Sequence, residues 1–275
     1  MNLATPLRLG RINFVNVLPV HLHLASRPDL FREEPDVPSA LNRRLWAGDL
    51  DLAEVSSVAY ALQAGAYLIL SGLCLCTRGP VSSVLLLSRL PLESWNGGEI
   101  EAPFESDTSV MLTRVLLARL WGLDCRMVPE TAAGQGGEPV AVLRIGDRAI
   151  GEAASGRWPV VLDLGQVWQD WTGLPFVYAL WVVRRTVARD RPAEVAALHQ
   201  ALLESRDRGL ADLEGCARAA AAALGGDLGF YRRYFTQLRY RLGPEEQRGL
   251  RRFYDELAIT GQLPHAPELD LFPTA

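Results

Sequence analysis

The sequence predicts an α/β fold of two lobes, the second inserted into the first, with a helical C-terminal segment packed on the first lobe. Three observations carry this. Short apolar runs alternate with stretches of helical spacing through the first two thirds of the chain, the pattern of βα units. A composition break at Pro91 to Gly98 (PLESWNGG) reads as a linker that opens a second α/β unit, and the β-prone run Phe176 to Arg184 (FVYALWVVR) reads as a strand re-entering the first sheet. From Pro192 onward every segment reads as helix. Residues 1–88 and 179–275 are assigned to the first lobe and 89–178 to the second, with the crossovers near 86–92 and 174–180. Such an arrangement leaves a ligand cleft between lobes that can close by hinge motion.

Taken in order, the strand Leu7–Leu9 runs into Leu9 to Pro19, LGRINFVNVLP, where Arg11, Asn13 and Asn16 interrupt apolar residues and Pro19 ends regular pairing. A polar loop at the carboxyl end of a first strand is where open α/β sheets hold ligands. An ordinary βα connection accounts for the same residues, so spacing alone leaves the two readings level. Pro38 to Gly48 is a predicted helix, Asp51 to Val55 a strand, and Ser56-Ser57 the caps of a helix ending near Gly65. Tyr67 to Leu75 and Ser82 to Ser88 are predicted strands, the second apolar between its serines and therefore central.

In the second unit, Glu99 to Ala102 is a strand, and Glu105 to Ser109 precedes a helix from Val110 to Trp121 that Gly122 stops. Cys125 to Pro129 and Val140 to Ile145 are strands separated by a flexible turn at Gly134 to Gly137. Asp163 caps a short helix that ends at Gly173. The tail divides into helices at 192–207, 209–224, 227–238 and 244–260.

Composition narrows the chemistry. At 275 residues, 49% apolar and 22% charged, with net charge −4, the chain has the make-up of a globular protein and no electrostatic case for nucleic acid or an anionic membrane. No apolar stretch is long enough for a signal peptide or a membrane span, which leads to an expected cytoplasmic location. All 28 basic residues are arginine. The absence of lysine removes Schiff-base and pyridoxal-phosphate enzymes and P-loop nucleotide hydrolases, each of which needs a lysine amine. Cys74 and Cys76 read as two buried residues on one face of a strand rather than a metal pair, and His21 and His23 as packing or surface residues. Asp51 and Glu54 read as solvated. Asp147 and Arg148 read as a local ion pair or as cleft groups.

Two hydroxyl pairs stand at predicted helix starts, one per lobe: Ser56 with Ser57, and Thr108 with Ser109. Helix starts offer free N–H groups and a positive dipole end, so each pair serves either as a plain cap or as an anion site. One site per lobe, facing a shared cleft, would suit a small dicarboxylate. Ser83, at the start of the predicted central strand, either bonds a ligand or satisfies a strand end.

The stretches GRINFVNVLP, AEVSSVAYA, SSVLLLSR, IGDRAI and DLGQVWQDWTGLPFVYALW together resemble the chorismate dehydratases of the futalosine route to menaquinone. The resemblance covers nearly the whole chain in order. It implies a type II periplasmic-binding-protein fold and conversion of chorismate to 3-[(1-carboxyvinyl)oxy]benzoate without metal or organic cofactor. It further implies Asn16 and Ser83 as catalytic groups, with Ser56, Ser57, Thr108 and Ser109 as substrate binders. The sibling family, 1,4-dihydroxy-6-naphthoate synthase, is expected to carry a histidine where this chain reads Arg144-Ile145-Gly146-Asp147. A non-catalytic carboxylate-binding protein is the remaining alternative.

Overall fold

The computed structural model describes residues 5–103, 107–130 and 138–273. The predicted turn at Gly134 to Gly137 and the residues Glu105 and Ser106 lie outside them. The first half of the first lobe comprises β1 (Leu7–Ile12), α1 (Leu18–His21), β2 (Phe31–Asp36), α2 (Pro38–Ala47), β3 (Leu52–Ser56), α3 (Ser57–Leu62) and β4 (Tyr67–Thr77). There follow β5 (Val84–Ser88), β6 (Glu99–Ala102), α4 (Asp107–Val115, continued by a π-helical stretch Leu116–Trp121), β7 (Arg126–Pro129), β8 (Ala141–Ile145), α5 (Gly146–Ala154), β9 (Val160–Asp163) and α6 (Leu164–Thr172). The chain closes with β10 (Phe176–Arg184), α7 (Arg185–Asp190), α8 (Pro192–Ala211), α9 (Leu213–Leu224), α10 (Leu228–Gln237), β11 (Leu238–Arg239), α11 (Pro244–Ile259) and β12 (Leu271–Phe272).

Two mixed sheets result. The first runs β11-β4-β10-β3-β1-β2, with β12 also paired to β4; the second runs β7-β6-β8-β5-β9. β10 re-enters the first sheet as predicted, antiparallel to both β3 and β4. One expectation is corrected. β5 pairs with β8 and β9 in the second sheet, not with the first, so the chain leaves the first lobe after Thr77 rather than at residue 88. Likewise Phe176 and Val177 already pair with Thr77 and Cys76, so the return precedes residue 179. An apolar run buried on both faces fits the middle of either sheet, and pairing partners leave no periodicity to read.

Local signals account for the elements that were legible. Asp163 caps α6 by accepting from Gly165 and Gln166 N–H, and Gly173 ends it in the left-handed conformation at φ 71°. Pro38 opens α2 at its first turn. α11 buries Leu250, Phe253, Tyr254 and Leu257 along one stripe, each contributing about 1.5–3 kcal/mol. This tail helix packs on β10 and also reaches the second lobe, where Glu256 accepts from Arg119 at 2.9 Å. Cys74 and Cys76 are buried free thiols in β4, and Trp168 and Trp181 are fully buried.

The opening segment sits in a tight seat. α8 crosses α1 so closely that a Cβ on Gly209 would lie 2.0 Å from the Pro19 carbonyl oxygen. Gly209→Ala must push two helix backbones apart, and is expected to destabilise the fold by on the order of 3 kcal/mol. Thermal unfolding checks this; an unchanged midpoint would show that α8 can slide freely.

Asp51 and Glu54 are not solvated. Asp51 is paired with Arg8 at 2.8 Å, and Glu54 is fully buried against His21 and the Ile12 N–H, the latter at 2.9 Å. Arg148 pairs with Glu130 and Glu152 rather than with Asp147. Among the described residues no helix is long and apolar enough to cross a membrane.

Candidate active site in the cleft between the lobes

A cavity of about 70 Å³ lies where the two lobes meet, and both contribute to its wall. Ile12, Phe14, Asn16, Ser56, Tyr178 and Ala179 come from the first lobe; Ser83, Thr108, Ser109, Ile145 and Gly146 come from the second and its crossover. The two hydroxyl pairs and both proposed catalytic groups therefore converge, although up to 93 positions separate them in sequence (Asn16 to Ser109). Ser57 is the exception, buried at 0% exposure behind Thr108.

Asn16 sits in a 3-10 turn, Val15–Val17, between β1 and α1. Its backbone carbonyl accepts from the Tyr240 hydroxyl at 2.7 Å. Its side chain is different: Oδ1 is buried and has no hydrogen-bond partner among the described residues. Buried polar atoms are nearly always partnered, so an amide left unbonded on a cavity wall points to a ligand. Phe14, from the same turn, reaches across the cleft and would meet a Cβ on Gly146 at 3.5 Å; Gly146 itself holds φ +57°, the conformation glycine favours.

Ser83 is positioned by the crossover. Asp163 accepts from the N–H groups of Val81 (3.0 Å) and Ser82 (2.7 Å) while also capping α6, and Ser82 takes φ 60°, a left-handed conformation rare for serine. One carboxylate thus joins the second-lobe helix to the strand that carries Ser83. Burial pushes the Asp163 carboxyl up, and its four N–H bonds oppose that shift. The Ser83 hydroxyl accepts from the Tyr234 hydroxyl at 3.2 Å and donates to the Val81 carbonyl at 3.3 Å. Burial also holds the phenols of Tyr234 and Tyr178 well above their ordinary range, with nearby Asp147 and Asp163 respectively adding to it. Both phenols are therefore protonated donors at neutral pH, not bases.

The two helix starts face each other as the sequence suggested, but they are already in contact. The Thr108 hydroxyl accepts from the Val58 N–H at 3.1 Å and lies 3.3 Å from the Ser57 hydroxyl. Ser56 caps α3 by accepting from Ala59 N–H at 3.1 Å. Two N–H groups that would greet an anion at α3, those of Val58 and Ala59, are thus engaged by the protein's own hydroxyls. Tyr254 of α11 donates to the Ser57 carbonyl at 2.7 Å and braces this junction from behind.

Sequence reasoning missed Tyr178, Tyr234 and Tyr240, which arrive from distant segments with no local signature. It also took Asp163 for a helix cap alone. Arg11 does not line the cavity; its nearest carboxylate is Glu33, at 3.9 Å. Asp147 stands in the first turn of α5, where burial pushes its carboxyl up. Among the described residues no group of three or more His, Cys, Asp or Glu side chains could hold a metal ion.

Comparison with known proteins agrees with this architecture. The chain is 33% identical to a chorismate dehydratase of Thermus thermophilus, across 95% of this chain and 97% of that protein. Among solved structures, a protein of Archaeoglobus fulgidus superposes with a TM-score of 0.75 at 18% identity, covering 94% of this chain and 99% of its own. The periplasmic aliphatic sulphonate binding protein of Escherichia coli superposes with a TM-score of 0.67 at 16% identity, covering 98% and 93%. The fold is that of the periplasmic binding proteins. A family described as menaquinone biosynthesis matches residues 7–258, and the chain belongs to that family.

Proposed function

We propose that the chain is a chorismate dehydratase, converting chorismate to 3-[(1-carboxyvinyl)oxy]benzoate and water in menaquinone biosynthesis. The observation that carries the reading is the unbonded Asn16 amide on a cleft wall that also bears the Ser83 hydroxyl. The reaction breaks the bond to the ring hydroxyl and removes the hydrogen from the neighbouring ether-bearing carbon, leaving an aromatic ring. Aromatisation drives it, so the protein's task is to hold the ring and direct elimination over rearrangement.

Asn16 and Ser83 are the groups we assign to the leaving hydroxyl and the enolpyruvyl side. The single Ser83 proton is donated to the Val81 carbonyl at 3.3 Å and one lone pair takes the Tyr234 hydroxyl, so Ser83 donates to the substrate by giving up its Val81 bond while Tyr234 keeps the oxygen in place. Ser56, Thr108 and Ser109 face the cavity and are assigned to the two substrate carboxylates, with Ser57 acting behind Thr108. With no phenolate in the wall, a carboxylate of the substrate is the proton acceptor this reading favours. The cavity is well below the roughly 300–1,000 Å³ of ordinary small-molecule pockets, so the lobes must part to admit a dicarboxylate.

Purified protein is expected to convert chorismate to a product lighter by one water, with the absorbance of a substituted benzoate. Binding without conversion would sink the enzyme reading in favour of a carboxylate-binding protein. Tyr234→Phe is expected to lower kcat about fivefold with little change in KM, the worth of one net hydrogen bond. Wild-type turnover in that variant would detach Ser83 from its phenol.

A further inference from the structure

We propose that a buried polar clamp, made by Glu54, His21 and Glu33 with Tyr240, positions Asn16 for the reaction; the inference rests on the dehydratase reading. The turn bearing Asn16 is held at three points by side chains from other elements. At its start, Glu54 of β3 accepts the Ile12 N–H at 2.9 Å. In its middle, the Tyr240 hydroxyl donates to the Asn16 carbonyl at 2.7 Å. At its end, the His21 ring sits between two carboxylates, with Nδ1 2.7 Å from Glu33 and Nε2 bonded to Glu54.

These side chains are deeply placed, at 0% exposure for Glu54 and 2% for His21. His21 also lies stacked 6.4 Å from the fully buried Trp181 ring. Burying charges is costly and a set of apolar side chains would pack the same volume with less penalty, so stability alone gives little reason for them here. What the charges do provide is direction. The backbone is tied at Ile12 and Asn16 and the His21 ring at both nitrogens, while Oδ1 of Asn16, on the cavity wall, is buried without a bond among the described residues. Glu54 and Ser56 also lie on the same face of β3, so one strand registers the turn and the hydroxyl opposite it. These are positioning residues, acting through Asn16.

The test uses the full chain with chorismate as substrate. Glu54→Gln keeps an acceptor for Ile12 and a donor for neutral His21, and is expected to retain kcat within threefold. The double variant His21→Leu/Glu54→Gln leaves no charge at either of these two buried positions, with Glu33 still 3.9 Å from Arg11, and is expected to keep the fold, yet it loses the anchor at the end of the turn. Its kcat is expected to fall at least tenfold with KM within threefold. Tyr240→Phe, which removes the middle anchor, is expected to lower kcat in the same way. In an Asn16→Ala background both losses should vanish, since the clamp then has nothing to position. Wild-type kcat in the double variant, or losses that multiply with Asn16→Ala, would overturn the clamp. A wild-type chain that does not turn over chorismate would overturn the functional reading and the clamp with it, and that control is read before any variant.

Discussion

Asn16→Ala is expected to lower kcat for chorismate dehydration by roughly a hundredfold, the scale of losing one preorganised donor at a developing charge. The leaving hydroxyl gains negative charge as its bond to the ring breaks, and on the proposed assignment the NH2 of the Asn16 amide donates to it while Oδ1, unbonded in the fold, accepts from the substrate. KM should move less than threefold, because the interaction grows as the reaction proceeds rather than on binding. The fold should survive. The side chain forms no hydrogen bond within the described residues, while the backbone carbonyl that holds the turn keeps its bond from Tyr240. Thermal unfolding beside steady-state kinetics separates the two effects. A kcat equal to wild type would remove Asn16 from the chemistry.

His21→Leu should have the largest effect on stability. It leaves Glu54 at 0% exposure with the Ile12 N–H in place but without its imidazolium. Breaking one side of a buried ion pair costs about 3–5 kcal/mol, which for a chain of this size lowers the unfolding midpoint by roughly 10 °C. The same pair makes the wild-type fold pH-dependent. Burial pushes the His21 imidazole down, but Glu54 and Glu33 outweigh it and hold its pKa at about 9 against 6.5 for the free side chain. The folded chain thus keeps a proton that the unfolded chain releases. That contribution, about 3 kcal/mol, is fully present below pH 6.5 and is lost as pH rises through 9. The other groups at the cluster are Arg11, 3.9 Å from Glu33, and the Tyr240 phenol, which burial and nearby charges including Glu54 keep protonated through this range. Unfolding midpoints at pH 6.5, 8 and 9.5 should fall in wild type and stay nearly level in His21→Leu. A flat wild-type profile would show that His21 is neutral in the fold.

How much of this was legible in the sequence follows from the range of each signal. α6 could be read at both ends because a capping aspartate and a left-handed glycine act within a few residues. The turn around Asn16 could be located because Gly10 and Pro19 bracket it. The two hydroxyl pairs could be named, but not their mutual contact, since Val58 and Thr108 meet only after two lobes have folded. β5 looked central and is, yet its sheet depends on β8 and β9, which follow much later. Glu54 looked solvated because a carboxylate in a strand usually is; its partner His21 lies 33 positions away and no spacing joins them. The tyrosines around Asn16 and Ser83 escaped for the same reason.

The contact between Thr108 and the start of α3 has a thermodynamic consequence. A substrate oxygen arriving at the Val58 N–H would not fill an open position; it would replace a hydroxyl already bonded there. Entry is then an exchange, in which one lobe's grip on the other is traded for a grip on the ligand, and the net gain is the difference between two similar bonds. Such a cleft is expected to bind its substrate only moderately and to remake its own bond when the product leaves. An enzyme whose reaction ends in a stable aromatic acid needs help with release more than with capture, and a hydroxyl that competes for the same N–H supplies that help from within the fold.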